Sequence, residues 1–422
     1  MSLSRTRLGF HYFPDDRHFT RSDADAWLPV LTSLEAGWLV LRAGAEKAVP
    51  ESFLKAVLDS GIEPVIHLPA RVGSLHEDDL GPLLTSYARW GVRYVVVFDR
   101  PNLRASWESS EWSRGGLVER FLDRALPILR LTEASGLAPV LPPLEPGGDY
   151  WDTAFLEAAL ASLLRRGEQA LLEHMCLGVY AWTYDHPLDW GAGGPNAWPD
   201  ARPYLTPSGS QDQRGFRVFD WYSAIASRVL EHDLPMLVIA GGATPPRGRS
   251  TLLGDPYGEQ NAEIVRAIQG GNISPSALNF AFYLLSAEDT STDAHAAWFT
   301  GPDDPRPWVE AVRRSIRAGA KAARPLASRS IAHYLLLPTT DMVSLASWWD
   351  ALLPFIADGH PVIGFSPREA RSAERVTLVG GPDELPLELE DDLREAGCRV
   401  ARVRLLEPAD ASLKEGAFDE RR

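Results

Sequence analysis

The sequence predicts an α/β protein: a (β/α)8 TIM barrel followed by a small C-terminal α/β domain. Three observations carry this. Short apolar runs alternate with longer amphipathic stretches eight times within about the first 320 residues. The runs are nearly continuous in Val, Leu, Ile and aromatics, as expected of parallel strands covered on both faces. No Gly-rich nucleotide turn follows any of them, which argues against an open doubly wound sheet. Eight β–α units also fit a barrel, whose usual length is about 250 residues or more with insertions.

In chain order, strands are expected at 7–13, 38–42, 62–68, 93–98, 138–142, 176–182, 235–240 and 278–285. Helices are expected at 23–35, 51–60, 79–90, 116–135, 153–165, 215–232, 259–269 and 307–320. Gly61, Gly91 and Gly136 stand where three of these helices must stop, since glycine accepts the left-handed conformation of a helix C-terminus. The segments after the first, fourth, fifth, sixth, seventh and eighth strands are long and rich in Trp, Tyr, His and Asp. In a barrel this asymmetry marks the C-terminal ends of the strands as the working face.

The pattern changes after Ala323-Arg324-Pro325. Strands are expected at 332–337, 361–365, 375–380 and 398–405, and helices at about 343–357, 367–373 and 386–397. The expected division is a barrel over 1–325, a small α/β domain over 326–410 and a polar tail over 411–422.

Composition bounds the partners. The chain has 422 residues, 45% hydrophobic and 23% charged, enough apolar material for one large core and a smaller one. Its net charge of −15 repels phosphate backbones, so nucleic acid is not an expected partner. No run of eighteen apolar residues occurs, so no membrane span is expected. The start, MSLSRTRLGFHYF, lacks the apolar segment of a secretory signal. Cys176 and Cys398 lie far apart in apolar runs and read as buried thiols of a cytoplasmic protein. His11, His67, Asp99 and His186 show no ligand spacing, so no metal site is expected. Without a Walker loop, a G-x-S-x-G elbow or a Cys–His pair, no cofactor is expected either. The stretch LVGGPDE resembles an anion-binding turn, but Asp383 and Glu384 would repel phosphate.

The strongest chemical signal is at the ends of two strands. The fourth ends VVVFDRPNLRASW and the seventh ends LPMLVIAGGATPP. These resemble two motifs of clan A glycoside hydrolases, retaining (β/α)8 enzymes. In that clan the fourth strand ends Asn-Glu-Pro and the seventh ends in a Glu, often within Thr-Glu-Gly-Gly. The flanking residues are kept here: Pro101, Asn102, Leu103 and Trp107, and Leu234, Pro235, Gly241 and Gly242. The resemblance covers about residues 1–320.

The two positions that matter depart from it. Arg100 stands at the acid/base position and Ala240 at the nucleophile position, with Asp99 in place of the preceding Asn. A retaining glycosidase needs two carboxyl groups about 5–5.5 Å apart. A guanidinium keeps its proton, and a methyl group cannot attack. The resemblance therefore implies a degenerate glycoside hydrolase-like protein, a pseudoenzyme that binds carbohydrate in the barrel mouth. Two alternatives stay open. One is an active glycosidase with relocated carboxylates: Asp99, Glu145, Asp149, Asp185, or Glu288 with Asp289. The other is a non-catalytic scaffold or protein-interaction barrel. For each carboxylate a local role is the simpler reading: an ion pair with Arg100 for Asp99, a turn before Pro146 for Glu145, a loop cap for Asp185.

Tyr180, Trp182 and Tyr184 recur at period two on the sixth strand and so share one face. Aromatic faces stack on pyranose rings, while Arg, His and Tyr donate to hydroxyls. His11, Tyr12, Arg42, His67, Asn102 and Tyr283 join them as candidate ligand-binding residues, although barrel interiors are rich in aromatics anyway. The insertion over 183–213, with Trp190, Trp198 and Tyr204, is expected to form a lid or wall. The fixed charge of Arg100 leads to one further expectation, an anionic ligand such as a uronate-bearing glycan.

Overall fold

The computed structural model describes residues 6–245, 256–322, 331–338, 361–371, 373–382, 384–395 and 398–403. The chain divides into two compact units, Met1–Gly319 and Ala320–Arg422.

The first unit is a closed barrel of eight parallel strands in sequence order. They are β1 (Leu8–His11), β2 (Trp38–Arg42), β3 (Glu63–Leu68), β4 (Tyr94–Val97), β5 (Ala138–Leu144), β6 (Cys176–Trp182), β7 (Met236–Gly242) and β8 (Phe280–Phe282). Each lies on an apolar run that predicts it. Alternation along the strands separates two cores. Val40, Val65, Tyr94, Val96, Val140, Leu237 and Ala281 fill the barrel interior. Leu39, Leu41, Ile66, Val95, Leu141 and Val238 face outward and bury the helices. Each fully buried aliphatic side chain contributes about 1.5–3 kcal/mol.

Each strand is followed by a main helix: Arg21–Ser33, Glu51–Asp59, Glu77–Arg89, Leu117–Ala134, Asp152–Arg165, Val218–Leu230, Pro256–Gln269 and Val309–Ala322. The first starts two residues earlier than expected, because Thr20 and Asp23 form a reciprocal capping box. Gly61 and Gly136 adopt φ of +78° and +84° just beyond two helix ends.

Two strands depart from expectation for visible reasons. β8 is short because the Asn279 side chain replaces the ladder. It accepts from the Val238 N–H at 2.9 Å and donates to the Val238 carbonyl at 3.0 Å. The β6–β7 register slips between Val179 and Tyr180, so that Val179 pairs with Val238 but Tyr180 with Ala240. Ile239 is the extra residue of this bulge. The short helices Ser109–Trp112, Gln169–His174 and Gly194–Ala197 and a two-stranded sheet of Phe299–Gly301 with Asp304–Pro305 were not foreseen.

The second unit holds a four-stranded parallel sheet in the order Val362–Gly364, Ile331–Leu336, Ala373–Val379, Arg399–Val403. Helices Pro367–Ala370 and Leu387–Glu395 accompany it. Tyr334, Leu336, Val376, Leu378 and Leu393 form its core. The helix expected at about 343–357 and the tail at 411–422 lie outside the described residues. Among the described residues, no helix is long and apolar enough to cross a membrane.

Candidate functional site

The site begins where β4 leaves the barrel. Phe98 and Arg100 flank Asp99 with φ of +72° and +45°. A left-handed residue other than glycine costs about 1–3 kcal/mol and persists only where neighbours hold it. Here the Phe98 N–H donates to the Leu68 carbonyl and the Arg100 N–H to the Pro143 carbonyl, both at 3.0 Å.

Asp99 Oδ1 accepts from the Tyr180 hydroxyl at 2.8 Å. Asp99 Oδ2 lies 3.0 Å from Arg100 Nε and 2.9 Å from Nη2. The other branch of the same guanidinium, Nη1, reaches Glu145 Oε2 at 3.5 Å. Glu145 Oε1 accepts from the Tyr184 hydroxyl at 3.0 Å. Five side chains from the ends of β4, β5 and β6 thus form one chain: Tyr180, Asp99, Arg100, Glu145, Tyr184.

Its electrostatics follow from burial and pairing. Burial lifts the Glu145 carboxyl above the usual carboxylate range, opposed by Arg100 and by the Tyr184 hydroxyl. Burial also works against the Arg100 charge, but Tyr180, Asp99 and Glu145 outweigh it and hold the guanidinium protonated. Burial and Asp99 raise Tyr180, and burial and Glu145 raise Tyr184, so both phenols remain donors.

Ala240 is 1% exposed, belongs to the inward-facing cluster and is the register partner of Tyr180. Tyr180 joins the two departing positions, because the Arg100 guanidinium lies 5.3 Å over its ring. Neither side chain is on the outer shell of the barrel.

A cavity of about 430 Å³ opens here, lined by Arg100, Glu145, Trp182, Tyr184, Asp185, Gly242, Thr244, Tyr283, Asp293 and His295, among others. Its walls are aromatic. Tyr180 and Trp182 stack at 5.8 Å and 15°, and Tyr283 meets Trp182 edge-on at 5.5 Å. Behind Tyr283, at 5.3 Å, lies His11. Burial pulls the His11 imidazole down to about 3, aided by His67 and Arg42, so it is neutral, and its Nδ1 finds no partner among the described residues. His67 Nε2 lies 3.3 Å from the Phe98 carbonyl and 4.0 Å from Asp99. Burial lowers its pKa against the pull of Asp99.

Several expected residues lie elsewhere. Tyr12 follows inward-facing His11 and therefore points outward. Its ring packs on Phe13 at 4.7 Å and Phe53 at 5.7 Å, away from the mouth. Asn102 is fully buried, and its amide is spent on the backbone. It donates to the carbonyls of Glu145 and Tyr150 at 2.8 and 2.9 Å and accepts from the Glu145 N–H at 2.9 Å. It pins the loop that carries Glu145. Arg42 lines a different cavity, of about 770 Å³, with Asp15, Asp16, Glu46 and Lys47. Asp149 accepts from the Arg104 N–H at 2.8 Å. Glu288 pairs with Arg17 at 3.2 Å and His18 at 3.8 Å.

The insertion supplies only Thr183, Tyr184 and Asp185 to the cavity lining. Trp190 stacks on His186 at 3.9 Å, Trp198 donates to the Ala192 carbonyl at 3.0 Å, and the Tyr204 hydroxyl accepts from the Trp151 N–H at 2.8 Å. It is a wall knit to its surroundings. Buried Asp152 ties it to the β5 loop, accepting from the Gly147 N–H, Gln213 and Tyr222 at 2.8, 2.6 and 3.0 Å. Asp293 and His295 were missed by sequence reasoning; they sit at a 3-10 turn, Ala294–Ala296, too short to leave a periodic signal.

The Arg100 charge already faces two carboxylates, and Asp185 and Asp293 add two more to the lining. Among the described residues, no group of three His, Cys, Asp or Glu side chains could hold a metal ion.

No protein-family model matches the chain, and no curated protein matches it in sequence. Solved structures do resemble it in fold. A GH128 (subgroup II) endo-β-1,3-glucanase from Sorangium cellulosum is 14% identical, with a TM-score of 0.44, over 74% of this chain and 97% of that one. A family 39 glycoside hydrolase from Bacteroides cellulosilyticus is 12% identical, with a TM-score of 0.46, over 76% and 64%. A monomeric β-xylosidase from Caulobacter crescentus is 12% identical, with a TM-score of 0.47, over 73% and 67%. The chain folds as a closed (β/α)8 barrel.

Proposed function

We propose that the barrel mouth binds a carbohydrate and does not cleave it by the two-carboxylate retaining route. The observation that carries this reading is the state of the two departing positions. Arg100 is a guanidinium clamped between Asp99 and Glu145, and Ala240 offers only a methyl group. No proton donor and no attacking oxygen stand where the clan A resemblance requires them. The pocket itself is kept. Its volume of about 430 Å³ suits a small ligand, and Trp182 and Tyr283 offer ring faces for sugar stacking. Backbone strain supports a functional role. Of the seven described non-glycine residues with positive φ, four surround this mouth: Phe98, Arg100, Tyr184 and Asp185.

One observation favours hydrolysis by relocated carboxylates. The raised pKa of Glu145 is a property of a general acid, and Asp99 would be its companion. Against it, the Arg100 guanidinium occupies the gap between them, where the scissile bond would sit. A cytoplasmic location fits two thiols that are both buried and form no disulfide.

An aryl-glycoside panel tests the proposal. The wild-type protein leaves the panel intact, and Arg100→Glu with Ala240→Glu gains hydrolysis. Turnover by the wild type that Glu145→Gln abolishes would establish the relocated pair instead.

A further inference from the structure

We propose that the barrel mouth selects a saccharide carrying a protonated amine. This rests on the carbohydrate-binding reading above and adds charge selection to it. The cavity is acidic. Among the described lining residues, the guanidinium of Arg100 faces Glu145 within the lining and Asp99 beside it, at 3.5 and 2.9 Å. It has no charge to spare. Asp185 and Asp293 line the same cavity and form no ion pair among the described residues. Asp293 bonds only neutral groups, the Tyr283 phenol and, at 3.4 Å, the Thr292 hydroxyl. A hydroxyl can hydrogen-bond to such a carboxylate; an ammonium adds a full charge to that bond.

The aromatic corner points to the same ligand independently. Trp182, with Tyr180 stacked on it, and Tyr283 meet edge-on at 88° in the cavity lining. An aromatic lining packs on the apolar face of a sugar ring and attracts a cation through its ring quadrupole. A bare metal ion would need a ligand set that the described residues lack. An acetylated amine loses both attractions and adds bulk.

The test uses glucosamine and galactosamine, each beside its N-acetylated and its neutral counterpart, titrated into the full chain by NMR at pH 6. At least one amine sugar binds about two- to fivefold tighter than both counterparts, the size of a solvent-exposed charge pair. High salt narrows that gap. In the Asp185→Asn/Asp293→Asn variant the amine sugar falls to the affinity of its neutral counterpart. Equal or weaker binding of both amine sugars overturns the inference and leaves the carbohydrate reading standing, as does a preference that survives the double substitution. Binding of none of the six sugars overturns the carbohydrate reading itself.

Discussion

Arg100 points both Nε and Nη2 at a single oxygen of Asp99, at 3.0 and 2.9 Å. This side-on grip leaves the second Asp99 oxygen to Tyr180 and the remaining Arg100 nitrogen to Glu145. One fixed cation thus organises the carboxylates of the mouth.

Replacing Arg100 by Ala removes the largest influence opposing burial at Glu145. The Glu145 pKa should rise further, read by carboxyl NMR titration. The protein should lose only about 1 kcal/mol in urea denaturation, because the Arg100 side chain is 41% exposed and solvent screens its pairs. An unchanged or lower Glu145 pKa would show that Arg100 does not govern it.

Asn102 predicts a larger loss. Asn102→Ala strands two carbonyls and one N–H that the side chain now satisfies. The expected destabilisation is about 3 kcal/mol, the cost of leaving buried polar groups unmade. A loss under about 0.5 kcal/mol would mean that the loop carrying Glu145 is held by other contacts.

Asp152 sets a pH dependence. Burial raises its carboxyl to about 6, against the donors Gly147, Gln213 and Tyr222. A carboxyl whose folded pKa lies above its unfolded value is bound more tightly to its proton in the fold. Its stabilising contribution is full below about pH 4 and is lost as pH rises through about 6. Denaturation curves for the wild type and Asp152→Asn should therefore converge or cross as pH rises. The wild-type advantage should shrink by on the order of 3 kcal/mol between pH 4 and pH 7. A constant difference would place the Asp152 pKa near its unfolded value.

Trp182 should carry the stacking. Trp182→Ala is expected to weaken saccharide binding by about 1–2 kcal/mol, roughly tenfold. Calorimetry that finds no change would move the ligand away from this wall.

The barrel was legible because its strands are buried on both faces and therefore written as unbroken apolar runs. Strand lengths were less so. Asn279, just before β8, takes the place of a ladder pair through side-chain bonds to Val238 that no local pattern announces. The period-two set Tyr180, Trp182 and Tyr184 does converge on the mouth, as do Arg100 and Glu145. Tyr12 was misplaced although it neighbours His11, because adjacent strand residues face opposite sides. Asn102 has the residue type of a sugar ligand, and only three-dimensional hydrogen bonding shows that its amide is already spent. Asp293 and His295 reach the cavity from a single 3-10 turn, too short for spacing to carry information about direction.

The most direct test of the account is calorimetric titration of a neutral and amine-bearing oligosaccharide panel into the wild-type protein, with chromatography of the sugar afterwards. The account predicts saturable binding with the oligosaccharide recovered at its full length. Release of shorter sugars would contradict it, since it would require a working acid and nucleophile in a mouth where Arg100 and Ala240 supply neither.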